Sequence, residues 1–156
     1  MSNPAVYAAG DCADSGPPLT PVAGREGKVV AANLLQGHHV RLDYTGVPSV
    51  VFTVPPLARV GLSEAQARER GLSFDGVQGD TASWYASRRI HEKHAGFKVL
   101  VERGTGRILG AHLLGTLADE LINLFALAIQ FGLRASDLKE AFYAYPTHAS
   151  NVPYMV

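Results

Sequence analysis

The sequence predicts an α+β fold in which an antiparallel β-sheet carries helices packed on one face, preceded by a short strand-loop-helix that belongs to another domain. Three observations carry this expectation. The run "FKVLVERGTGRILGAHLL" reads as two strand-forming segments around a Gly-containing turn, the pattern of a β-hairpin. Residues 117–131 follow it and are apolar at helical spacing, with a stop at Gly132. The first forty residues offer one apolar run and one helix, with no second strand to satisfy the backbone of the first.

Taken in order, "AVYAA" over residues 5–9 reads as a strand ending at Gly10-Asp11, and the loop "DSGPP" follows it. A helix comes next, with Thr20 as N-cap, Pro21 at the first helical position, apolar Val22, Val29, Val30 and Leu34, and Gly37 as the stop. Gly24 and Gly27 each weaken such a helix by about 1 kcal/mol relative to alanine, so close packing against its backbone is expected. After the linker "HHVRLDYTGVPS", "VVFTV" is a β-branched strand broken by Pro55-Pro56. "SEAQARERG" is a short helix capped by Ser63 and stopped by Gly71. Strand signals then cover residues 72–77, 97–101 and 107–114, and Ser136 caps a last helix running to about Phe142. The expected domains are residues 1–44 and 45–156.

Charge excludes several functions. Fourteen basic residues balance fourteen acidic ones, so no net field recruits nucleic acid or an anionic membrane. No stretch reaches the roughly 18 apolar residues of a membrane-spanning helix. The single cysteine, Cys12, cannot form an internal disulfide; it fits a reducing compartment, the cytoplasm, and reads as a small buried apolar residue.

Candidate chemistry concentrates near the end of the chain. "YAYPTHASN", residues 143–151, places two phenols, a histidine, two hydroxyls and an amide in one Pro-containing turn. His148 is a candidate acid-base or, alternatively, a turn-stabilising or exposed histidine; Tyr145, a phenol of ordinary pKa about 10, is a poor base at neutral pH but can donate a proton or hydrogen bond. His91 and His94 would share a helix face, and His38 and His39 are adjacent, yet neither pair has the cysteines or carboxylates that complete a metal site. These are read as solvated surface, as is the charged loop "SRRIHEK".

"NPAVYAAGDCADSGPPLTPVAGREGKVVAANLLQG" resembles the second flavin-binding signature of the pyridine nucleotide-disulfide oxidoreductases, the family of glutathione reductase, dihydrolipoyl dehydrogenase and mercuric reductase. "VVFTVPPLARVGLSEAQA", "GRILGAHLLG" and "YPTHAS" are similar, in order and spacing, to that family's C-terminal dimerisation domain. The resemblance implies an FAD- and NAD(P)H-dependent parent enzyme that passes hydride from nicotinamide to flavin and then to a cysteine pair. It implies that Asp11 accepts hydrogen bonds from the ribityl chain and that Leu19, Thr20, Pro21 and Val22 form the helix edge beside the flavin, where a positive dipole end suits negative charge. Read without the resemblance, Gly10-Asp11 can equally cap a turn.

The resemblance further implies a homodimer in which the helix at 117–131 packs against its twin and each terminal turn completes the partner's active site. There the sequence departs from the family pattern. The family's histidine and its orienting glutamate correspond to Tyr145 and Ser150, so the usual thiol acid-base pair is missing. With one cysteine and no Gly-rich pyrophosphate-binding turn, the chain is expected to be an inactive C-terminal part of such an enzyme that binds FAD weakly or not at all. Two other readings remain: a free-standing homodimerisation module, or part of an enzyme reducing a quinone, a metal ion or oxygen.

Overall fold

Strands with alternating inward and outward residues pair into one five-stranded antiparallel sheet in the computed structural model, which describes residue 3 and residues 6–156. The chain divides into two units, Met1–Tyr44 and Thr45–Val156.

In the first unit a 3-10 turn, Gly10–Cys12, precedes helix α1, Thr20–Gln36. The expected strand is not formed: residues 6–9 are extended or irregular without ladder partners, and Ala5 lies outside the described residues. An isolated strand has no neighbour to take its backbone hydrogen bonds, so the segment stays open. Helix α1 starts one residue earlier than the cap rule suggests. Leu19 is the extended N-cap, without a side-chain cap, and Pro21 is the second helical residue. Gly24 and Gly27 have nothing within 4 Å of where a Cβ would stand, so the close packing expected there is absent among the described residues. Cys12 is exposed rather than buried, and its thiol donates to the Ala9 carbonyl at 3.2 Å.

In the second unit the strands are β1 (Ser49–Val51), β2 (Leu57–Gly61), β3 (Phe74–Asp80), β4 (Gly96–Glu102) and β5 (Ile108–Leu114), ordered β1-β2-β5-β4-β3. The helices are α2 (Glu64–Glu69), α3 (Tyr85–Arg89), α4 (Ala118–Gln130) and α5 (Ala135–Glu140), with a closing 3-10 segment, Ala149–Tyr154. Register builds the core. Val60, Ala111 and Val99 line up across β2, β5 and β4, and Ala58, Leu113 and Phe97 form the next row. Helix α4 lays Leu121, Ile122, Phe125, Ala126 and Ala128 on these rows, and Val152, Met155 and Val156 join the same cluster. Full burial of a side chain such as Ile122 or Phe125 stabilises the unit by about 1.5–3 kcal/mol.

Alternation along β4 sends Lys98 to the opposite face, where its ammonium pairs with Glu64 in the first turn of α2. Ser63 and Gln66 cap that helix reciprocally. Gly110 is required beneath it: a Cβ there would stand 2.0 Å from the Leu62 carbonyl oxygen, so the loop before α2 rides directly on β5.

Several boundaries differ from expectation. The first strand stops at Val51 and the third begins at Phe74. Helix α5 starts before Ser136, with the Arg134 N–H donating to the Asp137 carboxylate at 2.7 Å, and ends at Glu140. Strand β2 and helix α3 were not expected; five residues between prolines and glycines, or five inside a charged run, are too few to display a period. His91 and His94 share no helix face, since α3 ends at Arg89 and His91 turns left-handed at φ 57°.

Candidate functional site

The first candidate cluster is built on α1 and the turn before it. Gly10 adopts φ 75°, a left-handed conformation natural to glycine, and opens the Gly10–Cys12 turn, which closes with the Ala13 N–H donating to the Gly10 carbonyl at 2.9 Å. Asp11 projects from it, exposed, and makes no hydrogen bond to the described residues. At the start of α1, Leu19 is half-buried, Thr20 and Pro21 are exposed, and Val22 is buried. The free amide of Thr20 marks the positive end of a 17-residue helix.

Sequence reading overlooked the residue that ties this cluster together. Glu26 is only 6% exposed, and its carboxylate accepts from the Gly10 N–H at 2.5 Å, the Ser15 hydroxyl at 2.8 Å and the Tyr44 hydroxyl at 2.6 Å. Those donors, Tyr44 foremost, hold the carboxyl below its ordinary pKa against the opposing effect of burial. The Tyr44 hydroxyl is correspondingly harder to ionise, because it donates to that carboxylate. A signal existed: Glu26 follows Val22 by four residues on the inward stripe of α1, an acid at a core position.

The second cluster is the terminal turn. Its two candidate residues do not act together. Tyr145, which precedes Pro146 through a cis peptide bond, is 81% exposed. His148 instead lines a cavity of about 30 Å³ with Thr81, Ser87, Thr116, Asn151 and Met155, enough for one water. Burial lowers the His148 pKa, and the nearby Arg89 guanidinium pushes the same way. Ser150 is engaged locally: its hydroxyl donates to the Thr147 carbonyl at 2.6 Å and accepts from the Thr147 N–H at 3.3 Å. It orients no imidazole.

The remaining histidines form no ligand cluster. His38 stacks on Tyr7 with ring centroids 5.2 Å apart, and among the described residues no group of three His, Cys, Asp or Glu side chains converges. No described helix is long and apolar enough to cross a membrane.

Residues 47–156 match the family model described as "Pyridine nucleotide-disulphide oxidoreductase, dimerisation domain". A Staphylococcus aureus protein named "Uncharacterized 19.7 kDa protein in mercuric resistance operon" is 47% identical across 100% of this chain and 87% of its own length. Dihydrolipoyl dehydrogenase of Bacillus subtilis is 37% identical over 92% of this chain, which spans only 30% of that enzyme. Among solved structures, a Cu(II) complex of the HOCl-induced flavoprotein disulfide reductase RclA from Escherichia coli superposes with a TM-score of 0.84 at 31% identity, covering 96% of this chain and 34% of that one.

Proposed function

Because the chain belongs to the pyridine nucleotide-disulphide oxidoreductases, we propose that it is the C-terminal part of an FAD- and NAD(P)H-dependent oxidoreductase and that residues 45–156 pair with a second copy of themselves. The observation that carries this reading is the outer side of α4. Leu124, Leu127 and Phe131 fall on one stripe, and Leu127 and Phe131 remain 48% and 73% exposed although the opposite side of the helix fills the core. The segment after α5 adds exposed Phe142, Tyr145 and Tyr154. Aromatic and leucine side chains in such numbers on one unit favour burial against a partner.

Sedimentation velocity over a range of concentrations tests it. A dimer is expected for the wild type, and a monomer for Leu127→Glu combined with Phe131→Glu. A wild-type chain that stays monomeric at every concentration overturns the pairing.

Asp11, whose carboxylate has no partner among the described residues, and the Leu19, Thr20, Pro21 and Val22 edge of α1 fit one side of a flavin. Residues 1–156 contain no Gly-rich turn for the pyrophosphate. When bound, the flavin supplies hydride acceptance and electron relay. In this reading Asp11 accepts hydrogen bonds from sugar-like hydroxyls, and the amide end of α1 favours negative charge beside it. Residues 1–44 are accordingly the end of an FAD-binding domain, and the cytoplasm is the compartment proposed. The chain alone is expected to bind FAD weakly or not at all, and a fluorescence titration showing tight stoichiometric binding contradicts that.

The alternative to a disulfide acceptor is a non-disulfide one, such as a quinone, a metal ion or oxygen. Tyr145 and Ser150 stand where the resemblance puts the family's acid-base pair, and His148 lines a small, partly open pocket. A second reading, a free-standing dimerisation module, is favoured by one observation: the 19.7 kDa relative, 87% of which this chain covers.

A further inference from the structure

We propose that Glu26 is the positioning residue of the Asp11 turn, a buried carboxylate that sets the turn's geometry from inside α1. The functional half of this proposal rests on the assignment of Asp11 to the flavin edge. A carboxylate nearly closed off from solvent is costly unless several donors satisfy it, and Glu26 has three, drawn from three separate stretches of the first unit.

Each donor fixes something different. The Gly10 N–H bond holds the residue immediately before Asp11, at the point where the backbone turns left-handed. The Ser15 hydroxyl holds the loop that follows the turn. Tyr44 closes the unit from the other terminus, and its ring fills the space a Gly16 side chain would need, with the nearest ring carbon 2.2 Å from the position of a Cβ. Gly10 and Ser15, either side of Asp11, are therefore both referred to one pair of oxygens on a helix that begins at Leu19 as N-cap and carries Val22 in its first turn. The two halves of the candidate flavin edge are held in fixed relation by a residue that belongs to neither.

Amide exchange and chemical-shift titration on the ¹⁵N-labelled chain test this. The Ala13 N–H bonds to the Gly10 carbonyl and makes no bond to Glu26, so it reports the turn rather than the contact itself. Glu26→Gln is expected to speed exchange at both Gly10 and Ala13 about tenfold while leaving α4 and the sheet unchanged. Exchange at Ala13 within about twofold of wild type overturns the proposal. Should Glu26→Gln fail to fold, Tyr44→Phe decides. It removes one of the three donors to the carboxylate, so exchange at Ala13 is expected to quicken, and exchange there within about twofold of wild type overturns the proposal equally. FAD binding is measured on a full-length relative carrying the equivalent flavin domain. Exchange changes without any loss of flavin affinity would sink the flavin reading of Asp11 and leave the positioning role of Glu26 standing.

Discussion

The Thr116 hydroxyl donates to the Glu92 carboxylate at 2.8 Å, joining the turn between β5 and α4 to the loop after α3 across 24 residues of sequence. The other Glu92 oxygen accepts from the His94 N–H at 3.0 Å, and that bond is the main reason its carboxyl titrates below the ordinary range. The pair orders the approach to α4 at a helix start that lacks a side-chain cap. Thr116→Val keeps the shape and removes the donor, and is expected to lower stability by about 1 kcal/mol in urea denaturation.

The two sides of α4 are expected to separate stability from association. Phe125 is fully buried, and Phe125→Ala should cost about 3–5 kcal/mol, read as a lower urea midpoint. Leu127→Ala should change the stability of the unit by no more than about 0.5 kcal/mol while weakening self-association in sedimentation.

Gly110→Ala places a methyl group against the Leu62 carbonyl oxygen and must lift the loop before α2 off β5. The expected cost is about 1–3 kcal/mol. The His112 ring, which contacts the Leu62 carbonyl at 3.2 Å, should change its NMR shifts in the same variant.

Acid should destabilise the second unit through His148. Its pKa is lower in the folded chain than in the unfolded one, so the unfolded chain takes up the proton first as pH falls. Stability is fully present above the ordinary histidine range, begins to fall on entering it, and levels off below the folded pKa. His148→Gln should flatten this part of the stability-pH curve. Its full persistence in the variant would assign the titration to another group.

The sheet's hairpin, α1 and α4 were legible because two apolar, strand-forming runs flank a Gly-containing turn in the hairpin, and Leu121, Phe125 and Ala128 repeat at helical spacing in α4. Strand β2 was not. Leu57 and Arg59 point outward between buried Ala58 and Val60, and a five-residue alternation beginning beside Pro56 is indistinguishable from loop until β5 is there to pair with it. The inward turn of His148 was equally hidden, because its cavity is assembled from Thr81, Ser87 and Thr116, residues remote in sequence. Glu26 was overlooked for the opposite reason: its position on the inward stripe was visible, but its three donors come from loops whose shape no periodicity encodes.

The sheet order also dictates a sequence of assembly. Strands β3, β4 and β5 adjoin in that order, so neighbours meet after short chain excursions, whereas β2 must cross roughly fifty residues to reach β5. The meander is expected to form early, in the rate-limiting step, and the β1-β2 ribbon to dock after it. Substitutions at Val60 should then mainly hasten unfolding, while those at Val99 slow folding itself.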